Sequence, residues 1–82
     1  MAKVVLPIEV ARTFAAGVTT HQVRGSDIRR LLKSLDETFP GIAAHLGCGF
    51  AVAIDGEIFQ DWFLQDVEAT AEVYFLPAIE GG

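Results

Sequence analysis

Apolar residues occupy every even position from Val4 to Val10, as Val4, Leu6, Ile8 and Val10, while the odd positions include Pro7 and Glu9. A period of two predicts a half-buried strand, because successive side chains of a strand point to opposite faces. Pro7 has no N–H to give a ladder, so this strand is expected to meet an edge or a bulge there. Phe14-Ala15-Ala16-Gly17 reads as a turn, and Val18 to Val23 returns as a second, weaker strand, which closes a hairpin.

The pattern then changes period. Ile28, Leu31, Leu32, Leu35 and Phe39 recur at helical spacing and make one apolar stripe of about three turns. Ser26 is the predicted N-cap, with Asp27 placed to favour the positive end of the helix, and Pro40-Gly41 stops it. The opposite face carries Arg29, Arg30, Lys33, Asp36 and Glu37, where Lys33 can pair with Glu37 or Asp36 for about 0.2–0.5 kcal/mol. This is a solvated face or, as the alternative, a docking patch. Ile42 to Leu46 adds a short helical turn with His45 near its end.

Period two resumes at Phe50, Val52 and Ile54, which alternate with Ala51 and Ala53; Asp55-Gly56 is a strong hairpin signal, and Glu57-Ile58-Phe59 is the return strand. Gln60 to Glu68 holds the cluster Trp62-Phe63-Leu64 among Asp61, Asp66 and Glu68. Part of it is expected to cap the core and part to face a partner, with Trp62 the candidate contact. In the final strand, Ala71 to Leu76, Val73 and Phe75 are assigned to the core, leaving Tyr74 and Leu76 on the outer sheet face. Pro77 ends the strand, and Ala78-Ile79-Glu80-Gly81-Gly82 follows. Six extended residues beyond Leu76 reach roughly 20 Å, and glycines add no side chain that a narrow channel would have to admit. Read alone, such an end is an ordinary frayed terminus.

Composition narrows the function. Eighty-two residues, 51% of them hydrophobic, support one core and leave no room for a catalytic apparatus with its own substrate pocket. The predicted organisation is a domain over residues 1–76 and a flexible tail over residues 77–82. A net charge of −5 repels phosphate backbones, which argues against nucleic-acid binding and for a basic-surfaced partner. No apolar run approaches the ~20 residues that span a bilayer, and Met1-Ala2-Lys3-Val4 makes a poor secretion signal, so no membrane is expected and the location is read as cytoplasmic. The single cysteine, Cys48, rules out an internal disulfide or a thiolate-rich metal site. It is expected to be a small buried hydrophobe, the sharper alternative being a persulfide carrier or nucleophile. Gly47-Cys48-Gly49 precedes a strand, not a helix, and so makes a poor phosphate loop. Asp55, Glu57, Asp61 and Asp66 lack calcium-loop spacing, and His21 and His45 are too far apart for a helical metal motif, so no metal site is predicted.

The order strand, strand, helix, strand, strand, strand is that of an α+β β-grasp fold, a mixed sheet of about five strands with one main helix across it. Three stretches carry a resemblance to the MoaD/ThiS family of ubiquitin-like sulfur carriers. They are Val23-Arg24-Gly25-Ser26 with Leu31-Leu32-Lys33-Ser34-Leu35-Asp36-Glu37-Thr38-Phe39-Pro40-Gly41; Phe50-Ala51-Val52-Ala53-Ile54-Asp55-Gly56; and Glu72-Val73-Tyr74-Phe75-Leu76-Pro77-Ala78-Ile79-Glu80-Gly81-Gly82. The third is the most specific. The resemblance implies a carrier that is not itself an enzyme. An E1-like adenylating enzyme would join the Gly82 carboxylate to ATP as an acyl-adenylate, and sulfur would then displace AMP to leave a thiocarboxylate. Gly81, Glu80 and Ile79 would give the tail access to the partner's site, with Tyr74, Leu76, Pro77 and Trp62 as partner contacts. No cofactor is bound; ATP and Mg²⁺ are used by the partner. The leading expectation is sulfur transfer in molybdopterin biosynthesis, with an acceptor such as a molybdopterin synthase large subunit; cysteine biosynthesis, whose carriers Leu76-Pro77-Ala78 also looks like, and thiamine or thionucleoside biosynthesis are the alternative pathways. A ubiquitin-like modifier that forms isopeptide bonds and an inert β-grasp interaction module are the alternatives.

Overall fold

A computed structural model describes residues 1–77. Along the chain run β1 (Ala2–Val5), α1 (Ile8–Phe14), β2 (Thr20–Val23), α2 (Ile28–Thr38), α3 (Ile42–Leu46), β3 (Phe50–Ile54), β4 (Glu57–Phe59) and β5 (Glu72–Pro77). The five strands form one sheet in the order β2-β1-β5-β3-β4. β1 and β5 run parallel and every other pair is antiparallel. The first and last strands are therefore central neighbours.

The Val4 to Val10 strand predicted from alternation does not form. β1 stops at Val5, and Ile8 to Phe14 is a helix that buries Val10 and Ala11 and packs a half-buried Phe14 on the core. Residues 10, 11 and 14 share a helix face as readily as 4, 6, 8 and 10 share a strand face. Pro7 is compatible with this start: as the N-cap it has a φ of −58°, and its carbonyl accepts from Ala11 N at 2.9 Å. β1 and β2 do pair antiparallel, from Ala2↔Val23 to Val5↔Thr20, but through this helix and not through a tight hairpin.

The predicted stripe of α2 is the centre of the core. Ile28, Leu31, Leu32 and Leu35 are buried in one cluster with Val4, Val23, Val52, Val73 and Phe75. Each such side chain removed from water contributes about 1.5–3 kcal/mol. The N-cap is Asp27 and not Ser26: its carboxylate accepts from Arg30 N at 2.8 Å, while the Ser26 hydroxyl accepts from the Arg30 guanidinium at 2.9 Å. The other first-turn donors are also satisfied, Ile28 N by the Gln65 carbonyl, Arg29 N by that of Phe63 and Leu31 N by that of Asp27. Gly25 admits this close approach, since a Cβ there would stand 2.6 Å from Leu31 N. At the far end the Asp36 carboxylate accepts from Gly41 N and Ala43 N, which starts α3 and takes Asp36 away from the pairing expected with Lys33.

The second hairpin forms as its sequence predicts. Asp55 and Gly56 have φ of 49° and 88°, the left-handed pair that a two-residue turn between twisted strands requires. Asp55 also receives Glu72 N on its carboxylate at 2.9 Å, tying the turn to the start of β5.

Candidate functional site

β5 is hydrogen-bonded on both sides and carries the chain to Pro77, where it pairs with Phe50 of β3. Its alternation is clean. Val73 and Phe75 are buried against the helices; Tyr74 is 37% exposed and Leu76 half-buried on the opposite face. Directly paired residues share a face, so the register Thr20↔Val5↔Tyr74↔Ala53↔Ile58 draws one row across all five strands. Leu76 and Ala51 form the next row. Apart from Thr20 the two rows are apolar or aromatic, and the helices cover the other side of the sheet. Ile58 is 62% exposed at the margin of this face, while Ala51 and Ala53 are small enough to leave a shallow floor between larger neighbours.

Tyr74 and Leu76 thus stand where the alternation of β5 places them, and Pro77 is the last residue of the strand. Gly82, Gly81, Glu80 and Ile79 lie outside the described residues. Val5, Ala51, Ala53 and Ile58 complete the face, although no sequence motif points to them as contacts. The alternation in Phe50 to Ile54 does place Ala51 and Ala53 on one strand face.

Trp62, expected as a partner contact, is buried. It is 6% exposed, sits edge-on to Phe75 with ring centroids 5.9 Å apart, and donates its indole N–H to the Phe50 carbonyl at 2.8 Å. An indole can be buried when its one donor finds an acceptor. The exposed members of the cluster are Phe63 and Leu64.

Cys48, expected to be buried, is exposed between two exposed glycines. His45 packs between the rings of Phe14 and Phe50, at centroid distances of 5.5 and 5.7 Å, and His21 lies edge-on to Phe39 with Nε2 2.6 Å from the Val18 carbonyl. His45 is nonetheless exposed and His21 half-buried. No group of three or more His, Cys, Asp or Glu among the described residues is placed to hold a metal ion. A groove of about 470 Å³ opens where the chain leaves β5, lined by Pro7, Ile8, Thr13, His45, Phe50 and Pro77 among others. No helix among the described residues is long and apolar enough to cross a membrane.

No family model and no curated protein matches the sequence. Solved structures do match. The chain is similar to one from the BexX/CysO complex of Amycolatopsis orientalis, at 21% identity over 100% of both chains with a TM-score of 0.84. It is similar to the antigen CysO of Mycobacterium tuberculosis, at 16% identity over 96% of this chain and 100% of that one with a TM-score of 0.85. A third likeness is to the small archaeal modifier protein 1 of Methanosarcina acetivorans, at 20% identity over 99% and 95% of the two chains with a TM-score of 0.78. Nearly complete coverage in each shows that the described residues have the β-grasp fold.

Proposed function

We propose that this protein is a sulfur carrier that presents the Gly82 carboxylate to an E1-like adenylating enzyme. The observation that carries the reading is the layout of β5. One central strand displays Tyr74 and Leu76 on an open apolar sheet face and runs straight to Pro77, where the sequence Ala-Ile-Glu-Gly-Gly follows. A partner seated on that face has the tail at its own active site.

The chemistry divides between the two proteins. An α-carboxyl group with an ordinary pKa of about 3.5 is ionised at neutral pH and can attack the α-phosphorus of ATP, releasing pyrophosphate. A sulfide-level nucleophile then attacks the acyl carbon, and AMP leaves with the carboxyl-derived bridging oxygen. Mg²⁺ and the cations that stabilise the phosphates come from the partner. Pro77 and the two glycines suit a slender strap. The Leu76-Pro77-Ala78 junction and the likeness to two structures named for CysO favour an acceptor that makes cysteine over a molybdopterin synthase large subunit. The likeness to a protein named as a modifier supports conjugation to lysines as a second reading.

Intact-mass analysis of protein from its native host distinguishes them. A carrier shows one oxygen replaced by sulfur, lost on deletion of Gly81-Gly82; a modifier shows lysine-linked adducts of higher mass. Protein that stays unmodified with every co-occurring activating enzyme overturns both.

A further inference from the structure

The sheet has a second surface that the carrier reading does not use. β2 closes the strand order, so one of its edges has no neighbour among the described residues. Leu6 N donates to the Thr19 carbonyl at 2.8 Å, and backbone groups alternate in direction along an antiparallel pair. Thr19, His21 and Val23 therefore bond toward β1. Thr20 and Gln22, both exposed, turn their N–H and C=O groups to the open edge.

Beside this edge runs a groove between β2 and α2. Its first part, about 240 Å³, has an apolar floor of Val23, Leu35 and Phe39 with Ser34 and Thr38 on the helix side. At Arg24 it meets a second hollow of about 530 Å³ lined by Ser26, Arg30 and Val67. Charge is concentrated here. Four of the six basic residues of this acidic chain, Arg24, Arg29, Arg30 and Lys33, fall within residues 24–33, which contain one acid, Asp27. Asp27 lies 3.9 Å from the Arg30 guanidinium, and among the described residues Arg24 has no ion pair.

We propose that the free edge of β2 and the groove between β2 and α2 bind an extended acidic peptide segment, added to the sheet as a sixth strand. Unpaired main-chain groups at Thr20 and Gln22 supply the ladder; alternate side chains, about 6.8 Å apart along the peptide, enter the apolar groove; and its carboxylates meet Arg24 and Arg30. The opposite edge, β4, is unsuitable for the same ligand because Asp55, Glu57 and Asp61 surround it. Geometry also separates this surface from the tail. Val23 pairs with Ala2, whereas Pro77 lies past the other end of β1, so a peptide near Arg24 leaves the tail free.

The test uses the full-length protein and a short fluorescein-labelled peptide that alternates valine with glutamate. Saturable binding by anisotropy is expected, with amide NMR shifts centred on Thr20, Gln22 and Arg24. The lysine counterpart of the peptide, and the variant Arg24→Glu, should each weaken binding by about tenfold or more. Gln22→Pro removes an outward N–H without touching the ladder to β1, so it should fold and bind more weakly. Deleting Gly81-Gly82 should leave binding unchanged, which keeps this surface distinct from the carrier reading. The proposal is overturned by absence of saturable binding, by equal affinity for the lysine peptide, by shifts confined to Tyr74 and Leu76, by a dimer of the protein formed through β2, or by unaltered binding in folded Arg24→Glu.

Discussion

The Trp62 indole N–H donates to the carbonyl of Phe50, and Phe50 in turn faces Pro77 across the β3–β5 ladder. The loop after β4 is thereby fastened to the strand beside which the chain makes its exit. Trp62→Phe keeps most of the buried ring but leaves the Phe50 carbonyl without its donor. Urea unfolding should show a loss of about 1–3 kcal/mol. On the carrier reading, the rate at which an activating enzyme adenylates the folded variant should not change, because the indole is buried.

Ile58 and Tyr74 lie in the same cross-strand row on the open sheet face, joined through Ala53. Ile58→Asp changes a largely exposed side chain, so stability should move by no more than about 0.5 kcal/mol. Steady-state adenylation kinetics should show kcat/KM reduced about tenfold, and further when combined with Tyr74→Ala. Unchanged kinetics for the double variant would remove this face from the docking surface.

Gly25 lies under the first turn of α2. In Gly25→Ala the new methyl would stand 2.6 Å from Leu31 N and 3.0 Å from the Arg30 carbonyl carbon, both backbone atoms that cannot swing aside. A loss of about 1–3 kcal/mol is expected from thermal or urea unfolding.

Asp27 and Ser26 both accept a hydrogen bond from Arg30 at the start of α2, one from its backbone and the other from its side chain. Substitution separates the two roles. Asp27→Ala should cost about 1 kcal/mol in urea unfolding, because it orphans Arg30 N. Ser26→Ala loses only a bond to an exposed guanidinium and should cost less than about 0.5 kcal/mol by the same measurement.

Cys48 should react with a thiol reagent in the native state at a rate close to that of the unfolded chain, since it is exposed. Cys48→Ala should alter stability by no more than about 0.5 kcal/mol and leave thiocarboxylate formation intact. Loss of transfer in the folded variant would bring the thiol into the chemistry.

Local pattern was enough for α2, for the β3–β4 hairpin and for the two faces of β5. In each, one periodicity had no competitor, and α2 and the hairpin were closed by residues of clear conformational preference: Pro40-Gly41 after α2, and Asp55-Gly56 between the strands. The tail motif too is a property of the chain alone. Residues 4 to 14 were different, because their apolar positions satisfy both periods; only the tertiary contacts of Val10, Ala11 and Phe14 with the core select a helix. The fate of the aromatic cluster was likewise decided at a distance. Trp62 is buried where an acceptor twelve residues away in sequence, the Phe50 carbonyl, meets its N–H, while Phe63 and Leu64 stay exposed in a segment whose Phe63 and Gln65 carbonyls accept from the first turn of α2. The open sheet face and the free β2 edge arise from strand order, which periodicity does not encode. Sequence determined which residues alternate; long-range pairing decided what stands beside them.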